Sequence, residues 1–81
     1  MTIETQMRVA NNLTALRKTA NLSQAALAEK IIVCRSTYAQ YEQGDRLPDL
    51  DTLHSLSEFY HVKLDTLINC DMQAVLEDYF L

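Results

Sequence analysis

The sequence predicts an all-α domain, and three observations carry that prediction. One glycine and one proline in 81 residues leave little of the turn chemistry on which all-β folds depend. Apolar residues recur at three- and four-residue spacings in successive segments, the period of a helix face. Residues suited to starting or stopping helices (Ser23, Gly44 and Asp49) stand between those segments. A composition of 48% apolar and 22% charged residues fits a globular chain. The length holds one domain with a small core, so added stability from oligomerisation is expected.

The first helix is expected from about Arg8 to Ala20, with Val9, Leu13, Leu16 and Ala20 as its apolar stripe. On that reading Arg8, Asn12, Arg17 and Lys18 are available to solvent or partners. Asn21 suits a left-handed residue at its end. Ser23 then caps a second helix from Gln24 to about Ile31, with Leu27, Ala28 and Ile31 facing inward. A turn through Ile32 and Val33 leads to a third helix, from about Arg35 to Gln43, which buries Tyr38 and Tyr41 and ends at Gly44. After a loop at Asp45–Pro48, Asp49 caps a fourth helix that turns Leu50, Leu53, Leu56, Phe59 and Tyr60 inward. His61 interrupts the pattern before a short fifth helix from Lys63 to Ile68. A sixth, strongly amphipathic helix from Asp71 carries Met72, Val75, Leu76, Tyr79 and Phe80.

Several function classes are excluded at this level. No apolar run approaches the length of a membrane span, and Met1–Gln6 lacks the pattern of a secretory signal. Cys34 and Cys70 show no CxxC spacing and are expected as free thiols, which together place the protein in the cytoplasm. His54 and His61 do not combine with them at zinc spacing, so neither metal nor cofactor is expected. There is no glycine-rich phosphate loop, no paired carboxylates and no nucleophile beside a base, so the chain reads as a non-enzyme. The net charge of −4 is unevenly spread. Residues 1–48 hold six basic and four acidic side chains, a net of +2, whereas residues 49–81 hold one basic and seven acidic, a net of −6. A mildly basic surface on an acidic base is expected, and the total charge does not exclude nucleic acid.

The second and third helices, joined by so short a turn, match helix-turn-helix geometry, which presents the second helix of the pair to the DNA major groove. That geometry needs a small residue where the two helices cross, met by Ala28, and apolar anchors behind the second helix. It also needs hydrogen-bonding side chains outside, which Arg35, Ser36, Thr37 and Gln40 supply. Arginine can read guanine and glutamine can read adenine. Gln24 suits a phosphate at the start of the second helix.

The run Ser23-Gln24-Ala25-Ala26-Leu27-Ala28-Glu29-Lys30, then Arg35-Ser36-Thr37, then Glu42-Gln43-Gly44-Asp45-Arg46-Leu47-Pro48 resembles the Cro/repressor-type helix-turn-helix family of phages and bacteria. The resemblance extends from about Leu13 to Ile68, in order and with matching spacing. It implies a five-helix lambda-repressor-like domain, here with an extra C-terminal amphipathic helix. It also implies base-edge contacts by Arg35, Ser36 and Gln40, and phosphate contacts by Gln24, Thr37, Gly44 and Arg46. Arg17 and Glu42 match an ion pair that ties the first helix to the recognition helix. Three departures stand out. Ile32 occupies a turn position where the family has Gly, Cys34 replaces the Ser or Thr that caps the recognition helix, and Tyr38 and Tyr41 replace smaller aliphatic residues.

The resulting expectation is a DNA-binding domain over residues 8–68 and a C-terminal helix over 69–81 for dimerisation or packing. Leu67, Met72, Val75, Leu76, Tyr79 and Phe80 are the expected dimer residues, since the sixth apolar stripe needs a cover and a twofold copy is the simplest one. Packing back on its own domain is the alternative. The function expected is sequence-specific DNA-binding regulation, with repression of an inverted-repeat operator favoured by the resemblance. Controller proteins of restriction–modification operons and antitoxins fall within that reading, the latter with a protein partner on the C-terminal helix. A protein-interaction module that keeps the fold without binding DNA is the competing class.

Overall fold

The computed structural model describes residues 2–80, with side chains from 2 to 77. Six helices and no strands are found among the described residues: α1 (Ile3–Thr19), α2 (Gln24–Lys30), α3 (Arg35–Gln43), α4 (Leu50–Tyr60), α5 (Leu64–Asn69) and α6 (Met72–Phe80). This is the all-α architecture expected from the sequence. The first helix starts five residues earlier than its apolar stripe suggests. Thr2 caps it, accepting from Thr5 N–H at 3.1 Å, and Glu4 in the first turn faces the positive end of the helix dipole. The added turn is fastened to the domain from its side: Gln6 Nε2 donates to the Gly44 carbonyl at 2.7 Å. Ile3 and Met7 stay exposed, so no apolar periodicity announces this turn in the sequence.

Helix starts follow two patterns. Ser23 and Asp49 accept from Ala26 N–H and Thr52 N–H at 3.0 and 2.8 Å. The Thr52 hydrogen bond also holds the exposed Asp49 carboxyl below its usual pKa. Cys34 occupies the same extended N-cap geometry but makes no side-chain cap bond, as a poor acceptor should.

The ends of α1, α2, α3 and α4 all use one device. A residue with positive φ follows the helix (Asn21 at 58°, Ile32 at 59°, Gly44 at 78° and His61 at 56°). Each chain then turns its next two N–H groups back onto the last turn. After α2 these are Ile32 N–H to Glu29 O at 3.3 Å and Val33 N–H to Ala28 O at 3.0 Å, the paired bonds of a Schellman ending. Only one of the four positions carries the residue that reaches positive φ without strain.

The core joins Val9, Leu13 and Leu16 of α1 to Leu27 and Ala28 of α2, and Ile31 just beyond it. Tyr38 and Tyr41 of α3, Leu53 and Leu56 of α4, Leu67 of α5 and Met72 of α6 complete it. Tyr38 and Tyr41 meet edge to face with ring centroids 6.1 Å apart, so the aromatic substitutions fill the volume behind α3. Two expected core residues lie outside it. Ala20 is exposed as the cap of α1, and Leu50 is exposed because it opens α4 at the rim of the domain.

The C-terminal helix packs back on its own domain, against α1. Its docking is fixed by Asn12, which is buried rather than available to solvent. Asn12 Nδ2 donates to the carbonyls of Leu67 and Cys70, each at 2.7 Å, while its Oδ1 accepts Met72 N–H at 3.0 Å. The side chain thereby satisfies the last carbonyls of α5 and the first N–H of α6, groups that helix ends leave unpaired. Arg8 reaches Asp71 at 3.4 Å across the surface of the same junction. Leu67 and Met72 are consequently core residues, not the dimer surface expected of them, because α1 already covers them. Val75 remains exposed and Leu76 half-buried. The expected roles of the Tyr79 and Phe80 side chains lie outside the described residues.

Candidate nucleic-acid interface

A helix can read DNA only if one face is anchored and the opposite face is polar and free. In α3 the anchors are Tyr38 and Tyr41, both buried, and the outer face presents Arg35, Ser36 and Gln40, all exposed. Ser36 and Gln40 are one turn apart and form a continuous stripe. Gln43, also exposed, extends that stripe by a further turn. Gln43 escapes a reading confined to the first two turns of the helix, although the same spacing points to it. Thr37 lies half-buried at the flank of this face. The expected interface residues on α3 therefore come together on one surface.

The aim of that surface depends on the turn from Ile31 to Cys34. Ile32 takes up φ 59° with 91% of its surface exposed. A β-branched residue thus stands in the left-handed region at this turn, where its side chain crowds the neighbouring carbonyl. Ala28, 2% exposed, gives α3 the close approach it needs.

The Arg17–Glu42 pair forms as expected and reaches further than a simple bridge. Arg17 Nε and Nη2 donate to Glu42 Oε2 and Oε1 at 2.6 and 3.0 Å, a two-point contact. Arg17 Nη1 donates to the Leu22 carbonyl at 2.8 Å, so the same guanidinium also holds the segment leading into α2. The hydrogen bond to Glu42 outweighs desolvation and raises the Arg17 pKa. Burial by itself would raise the Glu42 pKa. Hydrogen bonding from Arg17 first, with Gln24 behind it, reverses this and holds the carboxyl below its usual value. Burial pushes the Tyr38 and Tyr60 hydroxyls strongly upward in pKa, and neither completes a well-aligned hydrogen bond. The cluster is a buried, ionised tie between α1, the entry to α2 and the far end of α3.

Gln24 stands at the start of α2, half-buried, and its Nε2 donates to Glu42 Oε1 at 3.1 Å. The loop after α3 departs from expectation in one respect. Gly44 N–H donates to Tyr41 O at 3.3 Å, and the N–H groups of Asp45 and Arg46 turn to Gln40 O at 3.1 and 3.3 Å. The Gly44 carbonyl is taken by Gln6. Gly44 therefore has no free donor for a phosphate, and in this loop the exposed Arg46 side chain is the group able to make that contact. Gly44 instead contributes backbone freedom and space: a Cβ there would lie 2.5 Å from Met7 Sδ.

No described helix is long and apolar enough to cross a membrane. No solved structure matches the chain. Among known sequences, YqaE of Bacillus subtilis, an uncharacterized HTH-type transcriptional regulator, is 40% identical over 57 residues, covering 70% of this chain and 49% of YqaE. The HTH-type transcriptional activator BcrR of Enterococcus faecalis is 33% identical over 63 residues, 78% of this chain and 31% of BcrR. The cryptic phage CTXphi transcriptional repressor RstR of Vibrio cholerae is 30% identical over 61 residues, 75% of this chain and 54% of RstR. The chain thus spans about half the length of these relatives or less. The helix-turn-helix family pattern matches residues 7–67, running from α1 through α5 with Arg17, Glu42 and the whole α2–turn–α3 unit inside it. The chain belongs to the Cro/C1-type helix-turn-helix family.

Proposed function

We propose that this protein is a sequence-specific DNA-binding transcriptional regulator that represses by occupying an inverted-repeat operator as a dimer. The observation that carries the reading is the division of α3 into a buried tyrosine face and an exposed face of Arg35, Ser36 and Gln40. Arg35 offers two donors for guanine O6 and N7, and Gln40 offers a donor for adenine N7 with an acceptor for its N6 amino group, which distinguishes the two bases in the major groove. Thr37, Gln24 and Arg46 flank that face and supply backbone contacts, which fix register rather than sequence. Membership of the helix-turn-helix family supports the DNA-binding reading, and RstR, a named repressor, supports the sign of regulation.

The dimer follows from the geometry of the target. A single recognition helix reads one short half-site, whereas two copies spaced by one helical turn of DNA, about 34–36 Å, read an inverted repeat. Of the expected dimer residues whose side chains the structure describes, the exposed Val75 and the half-buried Leu76 on α6 are left for such a contact once Leu67 and Met72 are counted in the core.

Selection of bound sequences from a random duplex pool, followed by titration of the selected duplex across salt concentrations, tests the proposal. The expected result is a twofold-symmetric site and a steep negative slope of log affinity against log salt. No enrichment, with no affinity for any duplex at low salt, refutes it. An enriched site without twofold symmetry refutes the dimer alone.

A further inference from the structure

Glu42 has a second connection that the ion pair does not require. Its Oε1 accepts from Gln24 Nε2 at 3.1 Å, across eighteen positions of sequence. The acceptor is itself immobile: the Glu42 side chain is 5% exposed and gripped at both oxygens by the Arg17 guanidinium. A primary amide carries two N–H groups on one nitrogen, pointing about 120° apart. When the carboxylate takes one of them, the direction of the other is set. Gln24 is only half-buried and stands between the exposed Ser23 and Ala25 at the start of α2, so the residue lies at the surface of the domain rather than in its core. A free glutamine would have to surrender its side-chain rotamers on meeting a ligand, but a tethered one has already done so.

We infer that Glu42 is a positioning residue for a phosphate contact made by Gln24, holding the inner N–H of its amide so that the outer N–H is aimed at the DNA backbone. This inference rests on the DNA-binding reading proposed above. The arrangement also explains why the carboxylate is neutralised so thoroughly. An unpaired Glu42 would repel the phosphate that Gln24 has to meet, and Arg17 cancels that charge. The ion pair thus joins two tasks, tying α3 to α1 and preparing the side chain at the entrance to α2.

The test is a double-substitution cycle read in DNA affinity, using the wild type, Gln24→Ala, Glu42→Gln and the double variant. All four are measured on the selected duplex and on an unrelated duplex, at a temperature where circular dichroism shows each folded. Glu42→Gln keeps the volume but leaves one acceptor oxygen where the carboxylate had two, so the Arg17 donors and Gln24 must compete for it. The cycle cancels the change of charge common to both Glu42→Gln proteins. Gln24→Ala is expected to weaken binding to both duplexes by about tenfold in the wild type. In the Glu42→Gln background the same change is expected to cost less than about twofold. An equal penalty in both backgrounds overturns the positioning role and leaves Glu42 purely structural. A wild-type Gln24→Ala without effect overturns it as well. A wild type that binds no duplex refutes the underlying DNA-binding reading and takes this inference with it. Should Glu42→Gln fail to fold, side-chain ¹⁵N relaxation of Gln24 in the free wild type decides the matter. Rigidity approaching that of backbone, an order parameter about 0.85, is expected, and a value below about 0.6 overturns the inference.

Discussion

Replacing Ile32 by glycine should make this protein more stable, against the usual effect of putting glycine into a helical domain. Ile32 sits at φ 59° with its side chain 91% exposed, while its N–H and that of Val33 close the end of α2. A side chain at positive φ crowds the neighbouring carbonyl and costs about 1–2 kcal/mol, with β-branching at the upper end of that range. Glycine removes this cost. Because the side chain is exposed, almost no burial is lost with it. Against the gain stands the greater freedom of glycine in the unfolded chain, worth about 0.4–1 kcal/mol. The net is about 0.5–1.5 kcal/mol of stabilisation, which for a domain of this size raises Tm by about 2–12 °C. Thermal and urea unfolding followed by circular dichroism measure it directly. Ile32→Ala should recover less, since the Cβ that crowds the carbonyl remains. An unchanged or lower Tm for Ile32→Gly would refute the claim that this turn is strained.

Other consequences follow from the same structure. Arg17→Met should cost about 3–5 kcal/mol at neutral pH, because it strands Glu42 as a buried, unpaired charge. The pH dependence should change with it. In the wild type the depressed Glu42 pKa gives stability that is present above the ordinary carboxyl range and lost as pH falls through the folded pKa. In Arg17→Met, burial raises the Glu42 pKa instead, so acidification from neutral pH should recover stability through this group. Urea midpoints between pH 4 and 7 that fall in parallel for both proteins contradict this. Asn12→Ala leaves two carbonyls and one N–H without their partner at the α5–α6 junction and should cost about 3–5 kcal/mol. Faster amide exchange in α6 than in α3 should accompany it, and uniform protection would show that Asn12 does not dock α6. Cys34→Ser supplies the acceptor missing from the N-cap of α3 and should stabilise the domain by about 0.5–1 kcal/mol, read as a raised Tm. Arg35→Ala should relax base preference at one position of each half-site, at a cost of about 1–3 kcal/mol in repeated selection and titration. Equal weakening on every duplex would move Arg35 from base reading to backbone contact.

The α6 segment shows how a single polar residue can change the reading of an apolar stripe. An amphipathic helix needs cover, but its spacing does not say whether that cover comes from its own chain or another copy. Asn12 answers the question for Met72, since its amide bonds the backbone on both sides of the α5–α6 junction. Val75 stays outside because α1 covers only one side of the helix. In the same way, Gly44 matches a phosphate-binding position by resemblance, yet the helix ending that requires its positive φ uses its N–H internally.

The sequence by itself determined the number of helices, the caps at Ser23 and Asp49, the two-sided character of α3 and its glycine ending at Gly44. These are local matters. A three- or four-residue period, a hydroxyl or carboxylate before a helix and a residue just past its end are all encoded within a few positions of the chain. Only the tertiary structure decided that Asn12 turns inward, that Gln6 fastens the first turn of α1 to Gly44, and that Glu42 holds both Arg17 and Gln24. Each of these bonds joins a side chain to a partner 18–60 positions away, and nothing in the local pattern distinguishes a buried amide from a solvated one. A polar side chain enters the core only where the assembled helices leave a backbone group or a charge that water can no longer reach.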